Sequence, residues 1–109
     1  MDIQENQFNY LNHFCEIIYT SILQDCIDLK DREFFKEIED DITKYQFSKN
    51  IILQNSLINY YCKIGELQNA KQIFDKMEIR DVVTWSIMIS GLIENGYSRE
   101  SIQLLKSFL

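Results

Sequence analysis

Residues 50–96 read NIILQNSLINYYCKIGELQNAKQIFDKMEIRDVVTWSIMISGLIENG, and within them one pattern runs through and then begins again. Leu53, Leu57, Tyr61 and Ile64 lie at helical spacing, Gly65 interrupts them, and Leu67, Ala70, Ile73, Phe74 and Met77 resume the spacing. A glycine at such a point supplies the left-handed turn that ends a helix. After a charged connector, Glu78 to Asp81, the stripe returns as Trp85, Met88, Ile89 and Leu92, and Gly96 repeats the break 31 positions beyond Gly65. Asn55-Ser56-Leu57-Ile58 comes back at the same offset as Ser86-Ile87-Met88-Ile89. Helix, break and helix at a fixed period mark a solenoid, in which each unit buries its apolar face only against a neighbour.

Toward the N-terminus the match needs an offset of 35, which lays Ile22-Leu23 on Leu57-Ile58, Lys36 on Lys71 and Ile38 on Ile73. The first unit then reads as a helix carrying Ile18, Ile22, Cys26 and Leu29 with a polar exit from Asp28 to Lys30. Asp31 follows as N-cap of a second helix carrying Phe34, Phe35, Ile38 and Ile42, and residues 45–50 connect it to the next unit. Residues 1–15 hold Phe8, Tyr10, Leu11 and Phe14 at mixed spacing and read as a frayed helical lead-in. Toward the C-terminus, Ser98 reads as the cap of a last helix with Ile102, Leu105 and Phe108. The expected organisation is a lead-in over 1–15 and units over 16–50, 51–81 and 82–109, the third breaking off before its connector. A stack ending in Phe108-Leu109 without a polar capping helix leaves apolar surface open, so further units or a protein partner are expected at that end.

Composition agrees with an all-α chain: among 109 residues there is no proline and only three glycines. No run approaches the roughly 20 apolar residues of a membrane span, so no membrane partner is expected. The opening Met1-Asp2-Ile3-Gln4-Glu5 has neither a basic apolar leader nor an arginine-rich amphipathic one, so no targeting peptide is visible. Cys15, Cys26 and Cys62 are widely spaced and form no C-x-x-C pair, which points to free buried thiols in a reducing compartment rather than a disulfide frame. With His13 the only histidine, four close zinc ligands cannot be assembled, and no metal or other cofactor is expected. The net charge of -6 sits wholly in residues 1–50, which hold 11 acids and five bases, whereas residues 51–109 hold six of each. A surface that grips phosphates is ordinarily basic; this chain does not have one by composition.

Three short polar residues share a register without serving the apolar stripe: Thr20, Asn55 and Ser86, each in the leading helix of its unit. Such residues compete with helical backbone bonds, so helix propensity does not place them there. One hydrogen-bonding group per unit on a common face is what a base-reading surface requires. Beside each stands a β-branched aliphatic residue, Ile17, Ile52 or Val83, again in register, whose flat side can sandwich a base ring. The plainer alternative is that short polar residues near a helix start only relieve backbone or solvent-facing positions.

The runs GELQNAKQIFDKM (65–77) and RDVVTWSIMISG (80–91) resemble the pentatricopeptide repeat family, specifically plant-type arrays that mix units of 35 and 31 residues. The resemblance covers roughly residues 16–109 and is strongest over 50–96. Tetratricopeptide repeats share the architecture, but their tryptophan and proline signature is missing. The likeness implies a right-handed α-solenoid of about three helix-turn-helix repeats that binds single-stranded RNA, one base per unit. In the family the fifth and last residues of a unit choose the base together; here those pairs would be Thr20 with Asn50, implying adenine, and Asn55 with Asp81, implying uracil. Ser86 would have its partner beyond residue 109. Ile17, Ile52 and Val83 would sandwich bases, and Lys63 would contact phosphate. Asn50 and Asp81 each also precede a helix and suit N-cap roles, which the reading role does not exclude. Departures from the family pattern are Asp28 and Glu94 at the positions equivalent to Lys63, Phe35 where a small residue is usual and expected to splay or reorient the first unit, and Glu78 in place of a connector proline.

No nucleophile motif, phosphate-cradling glycine loop or zinc-deaminase signature occurs, so catalysis is not expected. Two functions remain from the sequence: an RNA-binding module of organellar RNA processing or editing, in a mitochondrion or plastid by resemblance, or a helical-repeat protein scaffold or remnant without RNA binding. The missing leader leaves a cytoplasmic location open.

Overall fold

A computed structural model describes the backbone of residues 2–109 and the side chains of residue 7 and residues 9–109, so the place of Phe8 lies outside the described side chains. The described residues form six helices and no strand: α1 (Asp2–Leu29), α2 (Arg32–Lys44), α3 (Ile51–Lys63), α4 (Leu67–Lys76), α5 (Val82–Glu94) and α6 (Ser98–Phe108). α1 packs on α3 and α3 on α5, while α2, α4 and α6 each fold back on the leading helix before them. The molecule measures 50 × 34 × 18 Å, so its shortest dimension is about two helix diameters, as expected of stacked hairpins. None of the described helices is long and apolar enough to cross a membrane.

The breaks between paired helices are one device used three times. After α3, the Glu66 N–H donates to the Tyr61 carbonyl at 2.9 Å and Gly65 N–H to Cys62 at 3.2 Å; after α5, Tyr97 donates to Leu92 at 2.8 Å and Gly96 to Ile93 at 3.0 Å. After α1, Asp31 donates to Cys26 at 3.1 Å and Lys30 to Ile27 at 3.3 Å. These paired bonds are the Schellman closure of a helix, which requires a left-handed residue at its centre. Gly65 and Gly96 take φ of +82° and +90° without steric cost, but the first unit asks the same of Lys30, at φ +55°. A side-chain-bearing residue there is strained by about 1 kcal/mol.

Entry into the helices is by side-chain caps where the sequence offers them. Asp31 accepts the Phe34 N–H, Asn50 the Leu53 N–H and Asp81 the Thr84 N–H, at 3.0, 3.0 and 2.9 Å. Ser98 departs from expectation: Tyr97 occupies the cap position, without a side-chain cap bond, and Ser98 is the first helical residue. The Schellman turn around Gly96 already commits the Tyr97 N–H, and the chain enters α6 directly from it, as it enters α4 from Glu66. Residues 2–15, expected as a frayed lead-in, are instead continuous with the first unit's helix in α1.

The core is divided by interfaces, not by units. One cluster joins Leu23 and Cys26 of α1, Phe35, Ile38 and Ile42 of α2, and Leu53, Leu57 and Tyr60 of α3. The other joins Ile58 and Cys62 of α3, Leu67, Ala70 and Phe74 of α4, and Met88 and Leu92 of α5. The Phe35 ring stacks on Tyr60 at 3.5 Å and meets Tyr61 edge-on at 5.2 Å, directing its bulk across the unit boundary. α2 packs less extensively on α1 than α4 does on α3 or α6 on α5, in line with the splayed first unit expected from that bulk. On the other side of α3, the Arg80 guanidinium covers the Phe74 ring at 4.1 Å while its Nε donates to the Phe74 carbonyl at 2.8 Å, fixing the connector into α5. α3 and α5 approach most closely at Gly91, where an added Cβ would overlap the Cys62 sulfur and lie 2.9 Å from its Cβ. Burial pushes the Cys62 thiol up to about 11, so it sits there as a neutral packing group.

Two substitutions should change stability in opposite directions. Replacing Lys30 with glycine should raise the unfolding free energy by about 0.5–1 kcal/mol in a denaturant titration, since the left-handed strain outweighs the added chain entropy. Gly91→Ala should lower it by about 1–2 kcal/mol, because overpacking against buried Cys62 exceeds the gain in helix propensity of at most about 1 kcal/mol; pairing it with Cys62→Ala should recover part of the loss. A stabilising Gly91→Ala would refute the close approach.

Candidate nucleic-acid interface

Because the three breaks are equivalent, the leading helices α1, α3 and α5 present the same register positions side by side. Ile17, Ile52 and Val83 are 52%, 51% and 54% exposed, so each faces solvent. Between α1, α3 and α5 lies an open groove of about 660 Å³, lined by Thr20 and Gln24 of the first helix, Ile52, Asn55 and Asn59 of the second, and Asp81 and Val83 at the third, among others. Two aliphatic walls from successive units, with polar atoms at the floor, have the size and chemistry to accept a planar ring.

The polar floor is organised by the start of α5. Asp81 and Thr84 form a reciprocal capping box, in which Thr84 N–H donates to Asp81 Oδ1 at 2.9 Å and Asp81 N–H donates to Thr84 Oγ1 at 3.2 Å. Asn55, from the preceding unit, completes it: the Thr84 hydroxyl donates to Asn55 Oδ1 at 2.6 Å, and Asn55 Nδ2 donates to Asp81 Oδ1 at 3.3 Å. The Thr84 hydroxyl also lies 2.9 Å from Asp81 Oδ1, so its one proton is shared between that oxygen and Asn55 Oδ1, and Asp81 Oδ1 gathers the Thr84 N–H, the Thr84 hydroxyl and Asn55 Nδ2. The backbone N–H of Thr84, followed by its hydroxyl, holds the Asp81 carboxyl below its ordinary value, so at neutral pH it is a fully ionised acceptor.

This geometry changes how the column of short polar residues is understood. Ser86 is exposed, as a displayed residue would be. Asn55 is only 6% exposed, and its amide is satisfied by Thr84 and Asp81, because a buried amide must find partners. Asn55 therefore braces the capping box from below, while Asp81 is exposed at the groove. Thr20 lines the same groove, with its hydroxyl oxygen buried and without a partner among the described residues. Asn50 does not line it: its Oδ1 caps α3 and its Nδ2 donates to Glu16 Oε1 at 2.7 Å. Ile17 also lies outside this groove, at the register position one unit earlier.

A second, smaller groove of about 240 Å³ opens between α3 and α5, lined by Asn59, Lys63, Ser86, Ser90 and Glu94. Lys63 is not free there: its Nζ lies 3.0 and 3.3 Å from the two carboxylate oxygens of Glu94. The first groove has only acidic charge on its lining, from Asp25 and Asp81. Thr84, which completes the floor, was legible only as the third residue after an N-cap aspartate. Gln24, Asn59 and Ser90 form a further polar column in the same register, one turn beyond Thr20, Asn55 and Ser86. No group of residues suited to hold a metal ion occurs among the described residues.

Comparison with known proteins finds two copies of one repeat in the chain. Residues 50–78 and 83–109 each match a family model described as PPR repeat. A mitochondrial pentatricopeptide repeat-containing protein of Arabidopsis thaliana is 44% identical over 87 residues, covering 80% of this chain and 14% of that protein. A chloroplastic one from the same plant is 35% identical over 89 residues, covering 80% of this chain and 10% of the relative. Another mitochondrial relative is 31% identical over 106 residues, 97% of this chain and 10% of its own length. The chain thus spans about a tenth to a seventh of the length of these relatives. Six helices paired by a recurring break, with two of the three pairs matching the repeat model, make this chain a member of the pentatricopeptide repeat family.

Proposed function

We propose that this chain is a non-catalytic, sequence-selective module for single-stranded RNA, acting within RNA processing or editing in a mitochondrion or plastid, and built of mixed-length repeats of the plant type. The observation that supports it most is the shared groove in which Ile52 and Val83 flank a floor made by Thr20 and by Asp81, with Asn55 bracing the latter. A base ring between the two aliphatic walls turns its Watson–Crick edge toward Asp81. An ionised carboxylate there accepts from the N3–H of uracil and repels the bare N3 of cytosine, so the physical chemistry of the floor agrees with the uracil choice implied by the pair Asn55 and Asp81. Thr20, with an unpartnered hydroxyl and with Asn50 engaged elsewhere, is the looser of the two reading positions. Ile17 and Ile52 would hold its base, adenine by the family's pairing of Thr20 with Asn50. Ser86 would read with a residue of a following unit, and Lys63 would approach phosphate.

A second reading, a scaffold for a basic protein segment, draws on the acidic lining of the groove and on the pairing of Lys63 with Glu94. A lysine-rich peptide that binds where RNA does not would favour it.

The deciding measurement is a fluorescence titration at low salt with short single strands. RNA containing adenine followed by uracil should bind roughly thirtyfold more tightly than the same strand with both replaced by cytosine, about 1 kcal/mol for each of the two hydrogen bonds lost. Asp81→Asn keeps an N-cap residue but offers an amide donor at the floor, and should move the preference at the second position from uracil toward cytosine. Equal binding of both strands would overturn the selective reading.

A further inference from the structure

We propose that Glu94 is an intramolecular rival of nucleic-acid phosphate for Lys63, and that their ion pair sets a low affinity and a shallow salt dependence for strand binding; this rests on the RNA-binding reading. Lys63 and Glu94 are the last residues of α3 and α5 and occupy one register position in successive units. Their side chains are 43% and 49% exposed, so the pair stands at the mouth of the smaller groove, open to solvent and to a passing strand. Lys63 is the only cation among the residues lining either groove. Any contact there that releases counterions must pass through it, and Glu94 already supplies the carboxylate that a phosphate would replace.

The pair is strong enough to compete and weak enough to open. An ion pair of this exposure contributes little to the fold, and the position of Glu94 does not depend on it. Asn95 Nδ2, the next residue, donates to the Cys62 carbonyl at 3.0 Å, and Gly91 lies against Cys62, so the end of α5 is fixed to α3 by other contacts. An acidic residue in the last turn of a helix also opposes the helix dipole. Neutralising Glu94 should therefore release Lys63 without loosening the stack. In the wild type, neutral groups such as Asn59 and Ser90, beside the pair, are left to hold the strand, and such contacts release few counterions.

The test is a fluorescence-anisotropy titration of a labelled single strand carrying adenine then uracil, from low to moderate salt. It compares the wild type, Glu94→Gln, Lys63→Ala and the double variant, with Glu78→Gln as a charge-matched control and circular dichroism to establish folding. Glu94→Gln should bind roughly fivefold more tightly at about 0.1 M salt, and its log–log salt slope should steepen by about 0.7, the value for one phosphate contact on a single strand. The gain should vanish in the Lys63→Ala background and be missing from Glu78→Gln. A gain that persists without Lys63, or that Glu78→Gln reproduces, would reduce the effect to net charge and overturn the proposal. Unchanged affinity and slope in Glu94→Gln, with the wild type binding RNA, would overturn it while leaving RNA binding intact. No binding by any folded variant would instead overturn the RNA reading, and this inference with it.

Discussion

α3 has no face that its own partner helix can finish covering. It gives Leu53, Leu57 and Tyr60 to one core and Ile58 and Cys62 to the other, so it is buried from two opposite sides. A helix apolar on both sides requires neighbours on both sides, and neither the first nor the third unit can be removed without exposing one set. This requirement brings α5 close enough that Gly91 must lack a side chain, and it directs Phe35 outward onto Tyr60 and Tyr61. It also aligns the leading helices, because each is stacked on the next through equivalent positions. The columns of the candidate interface result from that packing.

Punctuation was more legible in the sequence than burial. Gly65 and Gly96 announce left-handed breaks, and Asp31 and Asp81 announce helix starts, because the residue types that suit those backbone conformations are few. Lys30 carries no such mark: the same turn forms there because the stack enforces it, and the strain is absorbed by the rest of the unit. A single stripe at helical spacing, Leu53, Leu57, Tyr61 and Ile64, identified α3 correctly as a helix but missed Ile58 and Tyr60, which are more deeply buried than Tyr61 or Ile64. A one-stripe pattern presumes one buried face, and α3 has two.

The candidate site was legible as a register and illegible as a network. Shared offsets placed Ile17, Ile52 and Val83 in one register, and each of them faces solvent. Whether a polar residue in that register is displayed depends on partners from the next unit, which no local pattern contains. Asn55 is buried because Asp81 and Thr84 lie within hydrogen-bond reach, 26 and 29 residues away in sequence. Ser86 meets no such pair within the chain and is exposed. The same polar position is thus internal in one unit and open in another, according to the partners that the succeeding unit supplies.

Helix capping accounts for one of the two acidic residues of the groove, Asp81, without any demand of a ligand. The residue at the head of α5 must satisfy an otherwise unpaired backbone N–H, and aspartate does so while favouring the positive end of the helix dipole. Asp81 lines the groove because it caps α5 there, whereas Asn50, the cap of α3, is turned away to Glu16. A polyanion approaching that groove meets the Asp81 charge at long range and its acceptor oxygen only at contact, so on the proposed reading contacts to the base would be the favourable ones and contacts to the backbone would not. On the proposed reading, selectivity and affinity would be set by different residues: the cap and its Asn55 brace would govern which ring is accepted, and the balance between Lys63 and Glu94 how firmly a strand is held. The first is tied to folding, since Asp81 starts a helix and Asn55 is buried; the second lies on exposed side chains that the fold does not need.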